Sequence, residues 1–134
     1  MKYLKTYNES VLNKVHRFDY IESIISDIKD ITLELIDDGY RISITNNSDF
    51  PNSLTNIYVS ISKGRDKNNT DVSYFTKFNI SVVREYHERI VLLIGDNLNS
   101  VELKWQGKNR MGKSVDFPEE DEVVDVIMMT YRVS

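Results

Sequence analysis

Two stretches of the chain carry one pattern of apolar and polar positions. Ile21, Ile24, Ile25, Ile28, Ile31 and Leu35 recur at three- and four-residue intervals, which predicts an amphipathic helix up to Asp38. Gly39 follows, and Tyr40, Ile42 and Ile44 then alternate with Arg41, Ser43 and Thr45 as in a half-buried strand. In the second stretch Ile80, Val83, His87, Ile90, Val91 and Ile94 form the stripe, with a β-strand reading of Ile90 to Ile94 competing. Gly95-Asp96-Asn97 interrupts it, and Val101, Leu103 and Trp105 alternate with Glu102, Lys104 and Gln106. Glycine suits both stops because a residue without Cβ takes positive φ at little steric cost. Asp19, with Glu22 three residues on, is the expected N-cap of the first helix, and Asn79 or Ser81 that of the second.

The other segments complete the plan. A strand is predicted over about Thr55 to Ser62 with Ile57, Val59 and Ile61 inward, joined to the first strand by a long loop of turn formers, Asn46 to Ser53, that Phe50 plugs. Gly64 to Asp71 has the composition of an exposed loop, and Val72 to Phe78 reads equally as strand or irregular cover. The last strand, about Val123 to Val133, sets Ile127, Met129, Tyr131 and Val133 on one face and Val124, Val126, Met128 and Thr130 on the other. With both faces largely apolar, it is expected to be central in the sheet or covered by another chain. Leu4, Tyr7, Val11, Val15 and Phe18 fit a short helix within a basic arm over residues 1–18. The expected fold is α+β: a two-layer sandwich with two helices on one face of a four-stranded, mainly antiparallel sheet. Its order is an αββαββ pseudo-repeat within one domain over 19–134, preceded by the short N-terminal helix.

Composition narrows the function classes. The chain has 134 residues, the size of one domain, and a net charge of −4 from 17 basic and 21 acidic residues, which disfavours a surface gripping nucleic acid on all sides. It has no cysteine, so thiolate metal sites and cysteine nucleophiles are excluded. No apolar run approaches the ~20 residues that cross a bilayer, and the start of the chain does not read as a signal peptide, so membrane contact and export are not expected.

Candidate chemistry is sparse. His16 and His87 are the only histidines and neither has a partner at metal or nucleophile spacing; His87, on a helix stripe, is expected to be a hydrogen-bonded core residue. Asp116, Glu119, Glu120, Asp121, Glu122 and Asp125 lack the ligand spacing and glycine of a calcium loop, leaving solvation or contact with a basic partner. Lys104, Lys108, Arg110 and Lys113 gather around Trp105, a combination suited to phosphate and a stacked base. Gly107-x4-Gly112-Lys113-Ser114 matches the formal phosphate-loop pattern. Val115-Asp116-Phe117-Pro118 follows it, however, in place of the helix such a loop opens. No catalytic residue, metal or cofactor is expected.

The opening Met1-Lys2-Tyr3-Leu4-Lys5-Thr6-Tyr7-Asn8-Glu9-Ser10 resembles the N-termini of many small tailed-phage proteins, internal head proteins among them. Leu35-Ile36-Asp37-Asp38-Gly39-Tyr40 leading into a strand is similar to a set of small uncharacterised phage proteins. The resemblance implies a location in the host cytoplasm or virion and offers no active site to carry over. The expected function is a non-enzymatic structural or protein–protein interaction role, as an oligomer or virion component. Leu4, Tyr7, Val11, Val124, Val126 and Met128 are the expected partner contacts. The alternatives are a nucleic-acid-binding accessory protein using Lys104, Lys108, Arg110 and Lys113, and an inhibitor of a host protein.

Overall fold

The computed structural model describes residues 2–49, 54–63, 76–107 and 111–134, with side chains described from Phe18 onward except at 48 and 49. In chain order the elements are helix α1 (Lys2–Asp37), strands β1 (Tyr40–Asp49), β2 (Leu54–Lys63) and β3 (Phe78–Asn79), and helix α2 (Ser81–Ile94). A 3₁₀ turn (Gly95–Asn97) and strands β4 (Leu98–Gly107), β5 (Met111–Ser114) and β6 (Val123–Val133) complete them. The α+β class and the antiparallel sheet follow the apolar pattern, but the sheet has six strands rather than four, in the order β1-β2-β6-β4-β5 with β3 beside the start of β6.

β6 sits between β2 and β4, where a strand needs apolar residues over its length. Its partners bring the inward residues into rows. Ile44, Val59, Met129 and Leu103 form one, and Ile42, Ile61, Ile127 and Trp105 the next. Against these rows pack Ile21, Ile24, Ile25, Ile28 and Leu35 of α1 and Val83, Ile90 and Ile94 of α2, all in one buried cluster. The helices run antiparallel: Tyr86 donates its hydroxyl to Glu34 at 3.2 Å, and Asn97, just past α2, donates its amide to the Tyr20 hydroxyl at 2.6 Å. Thr32, fully buried on the α1 stripe, is satisfied by donating to the Ile28 carbonyl at 2.9 Å.

Several expectations change. α1 runs through Asp19 without a break, so no N-cap forms there and the expected short N-terminal helix is the first half of a 36-residue helix. The reason is visible once the segments join: Leu4, Tyr7, Val11, Phe18, Ile21, Ile25, Ile28 and Leu35 fall on one seven-residue repeat, so a single seam crosses residue 19. β1 extends through Asn46, Asn47, Ser48 and Asp49, each paired with β2, because ladder bonds outweigh the turn preference of those residues. The long loop reduces to residues 50–53, and Phe50 lies outside the described residues, as do 64–75 with the Gly64 to Asp71 loop. Of Val72 to Phe78, only its end is described in a strand, at Phe78 in β3.

Both glycine stops hold, with φ of 92° at Gly39 and 62° at Gly95. Ile80, not Asn79 or Ser81, occupies the α2 N-cap position and makes no side-chain cap bond; the Ser81 amide donates instead to the Asp121 carboxylate at 3.2 Å. The second face of β6 also changes. Between the pairs Gln106–Val126 and Gly107–Val124, β6 advances two residues while β4 advances one. This bulge resets the alternation and turns Val124 into the core, fully buried, so it is not a partner contact.

Truncating Ile61 or Ile28 to Ala should lower unfolding free energy by ~2–5 kcal/mol through cavity formation, measured by denaturant titration. Leu33→Ala, on the exposed side of α1, should change it by less than about 0.5 kcal/mol.

Candidate functional site

His87 is buried and has the pairing of a core residue. His87 Nδ1 and the Tyr131 hydroxyl are 2.8 Å apart, and the same hydroxyl lies 3.3 Å from Met129 Sδ. Imidazole nitrogen is a far better acceptor than a thioether, so the neutral ring accepts from Tyr131 at Nδ1. Tyr131 and Phe117 lie on the ring at centroid distances of 5.7 and 5.6 Å, and the Arg84 guanidinium covers Phe117 at 5.4 Å. Burial lowers the His87 pKa, with Glu88 opposing weakly, and raises that of Tyr131. Both shifts favour the neutral forms of the pair. A shallow apolar hollow of about 390 Å³ opens beside it, lined by His87, Glu88, Val91 and Leu92.

The acidic run is an exposed loop, as expected, that also serves as a clasp. Asp121 accepts from the Ser81 and Glu122 amides at 3.2 and 3.0 Å, Glu122 offers its carbonyl to the Ile80 amide at 2.8 Å, and Arg84 donates to the Pro118 carbonyl at 2.6 Å. The Glu122 carboxylate accepts from the Trp105 indole at 3.0 Å. Carboxylate at a helix N-terminus is favoured by the unpaired amides there, and an indole N–H near the core must find an acceptor, so both acids have structural work. Sequence reasoning missed this; Trp105 alone was a signal, since a buried indole implies an acceptor. A cleft of about 380 Å³ between Trp105 and Pro118–Glu122 remains open. Among the described residues, no group of three or more His, Asp or Glu side chains forms a metal-ligand set.

The glycine-lysine pattern folds as a hairpin. Gly107 closes β4, and Gly112-Lys113-Ser114 lies in β5, antiparallel to β4, with no helix N-terminus to face a phosphate. Gly112 stands opposite Trp105, where any Cβ would collide with the indole. Its glycine serves packing. Lys104 and Lys113 are register partners, and Glu102 joins them at 3.2 and 3.6 Å. Their hydrogen bonds and charges hold the Glu102 carboxyl below its ordinary range. Lys108 and Arg110 lie outside the described residues.

Lys104 and Lys113 point away from the helices, as do Val126 and Met128. This second face is open: Met128 keeps 40% of its surface, and Arg41, Ser43, Thr45, Lys104 and Lys113 are exposed. On the other layer, Phe18 of the α1 seam is 66% exposed, whereas Ile21 and Ile25 below it are buried. The side chains of Leu4, Tyr7, Val11 and His16 lie outside those described.

Comparison with protein families, curated proteins and solved structures finds no match.

Replacing Gly112 with Ala should displace the indole, break its bond to Glu122, and red-shift and weaken the emission of the chain's single tryptophan, with a fall in thermal midpoint. For His87, the folded pKa lies below the unfolded value of about 6.5, so its contribution to stability is present above that pH and lost as pH falls through the folded value. Denaturant midpoints measured from pH 7.5 to 5 should therefore fall more steeply for the wild type than for His87→Gln.

Proposed function

We propose that the protein is a non-enzymatic protein–protein interaction protein that works as an oligomer, with α1 as its contact element. The observation that supports this is the length of α1, 36 residues, against the 14 of α2 beside it. Tyr20 is level with Asn97 at the end of α2, and the residues from Lys2 to Tyr20 add about 27 Å of helix at 1.5 Å per residue. The seam that α1 buries through Ile21, Ile25, Ile28 and Leu35 continues in that stretch as Leu4, Tyr7, Val11 and Phe18. A seven-residue apolar repeat is the pattern by which one helix packs on another of the same kind, so a second copy of this chain is the partner that fits. The resemblance of the first ten residues to tailed-phage proteins is in keeping with a role in the virion or the infected host.

Light scattering across a concentration series should show a mass above that of the 15.7 kDa monomer. The double variant Leu4→Glu, Val11→Glu should return it to the monomer with the thermal midpoint of the domain unchanged. A strict monomer for the wild-type chain at millimolar concentration would refute the reading.

A further inference from the structure

We propose that the open face of the sheet is a binding surface for single-stranded nucleic acid, independent of self-association through α1. The face is ordered by register. One row across it runs Ser43, Ser60, Met128, Lys104, Lys113; the rows on either side run Arg41, Ser62, Val126, Gln106, Met111 and Thr45, Tyr58, Thr130, Glu102. Arg132 of β6 belongs to the next row, opposite Asn56 and Ser100.

The described side chains of this face carry Arg41, Lys104, Lys113 and Arg132 against Glu102 and, at the bulge, Asp125, a positive balance in a chain of net charge −4. The largest run of acids lies elsewhere, in the clasp of 116–122, while on the helices acids and bases mix: Glu22, Asp27, Asp30, Glu34 and Asp37 with Lys29 on α1, and Glu85 and Glu88 with Arg84 and Arg89 on α2. A face of positive balance on an acidic protein attracts a polyanion, which makes this side of the sheet a docking side.

The chemistry between the cations favours a single strand over a duplex or an acidic protein. Tyr58 is the one aromatic among the described residues of this face, half-buried and so held in place, with Met128 on its diagonal. Thr45, Thr130, Ser43, Ser60 and Ser62 surround it with hydroxyls that donate to phosphate or base edges. A flat sheet presenting an aromatic platform among lysines accepts unstacked bases, which a duplex does not offer. From Arg41 on β1 to Lys113 on β5 there are four strand spacings, about 19 Å, room for a run of about four nucleotides at the low end of known site sizes. Glu102 sets the strength of the site. It holds both lysines, and phosphates must take over those ammonium groups.

The test is fluorescence polarisation of a labelled fifteen-residue oligothymidylate with the full chain, at 50 and 200 mM salt. The wild type should bind and weaken with salt. Lys104→Glu with Lys113→Glu should weaken it at least tenfold and reduce the salt slope by about 1.4, at about 0.7 per phosphate contact on a single strand. Glu102→Gln should tighten it. Tyr58→Leu, an apolar replacement, should cost at least about fivefold with the salt slope unchanged. Tryptophan emission and circular dichroism confirm the fold of each variant. The proposal fails if the wild type does not bind at 50 mM salt, or if duplex and heparin bind as well as the oligothymidylate with Tyr58→Leu indistinguishable from wild type. The monomeric Leu4→Glu, Val11→Glu variant should keep its oligothymidylate affinity per chain, so failure of either reading is seen separately from the other.

Discussion

The fold depends on the pairing of β6 along both its edges. With β2 on one side and β4 on the other, its hydrogen-bonding groups are used by the ladders, and Ile127, Met129, Tyr131 and Val133 become the floor on which both helices rest. Helix α2 is tied to that floor by the contact of His87 with Tyr131, and its start is fixed by the segment that leads into β6, through Asp121 and the Glu122 carbonyl. The strand thus positions the core and also the end of the helix that covers it. Because the ladders fix which side of the sheet is covered, they fix which side remains open.

That division gives the two candidate surfaces different physical character. The seam of α1 is apolar and of helical period, suited to a helix. The open face is broad, hydroxylated and cationic, suited to a charged chain lying across the strands. They belong to different elements, the seam to α1 and the open face to the strands.

How much of this was legible in the sequence follows from the range of each interaction. Helix stripes, strand alternation and both glycine stops are local patterns, and Ile21 to Leu35, Tyr40 to Ile44 and Ile57 to Ile61 fold as the pattern reads. The apolar character of β6 on both faces gave its central place correctly, but not the bulge. The extra residue has no side-chain signature in Val124-Asp125-Val126 and appears only against the β4 register. Likewise Asn46 to Asp49 are turn formers until β2 offers a ladder, and Asp19 is a capping residue until the seam on either side is seen to be one. In the candidate site, Lys104 and Lys113 are near one another along the chain and stand opposite in the β4–β5 register. Arg41, Tyr58 and Arg132 join them only through pairings that connect β1, β2 and β6, which no local spacing reveals. The acidic run is exposed as its charge reads, but charge alone does not show that its backbone and two carboxylates also bond to Ser81, Ile80, Arg84 and Trp105.

The length of α1 has a kinetic meaning as well as a geometric one. Starting a helix in water is the unfavourable step, whereas each residue added to an existing turn is nearly neutral. The buried turns from Ile21 to Leu35 are a permanent nucleus, so the segment before them extends a helix that already exists rather than initiating one. A partner meeting that segment finds the ordering problem reduced to propagation, and a helix-breaking substitution at Asp19 or Tyr20 would sever the two halves by returning the outer one to its own nucleation cost while the domain below stays folded.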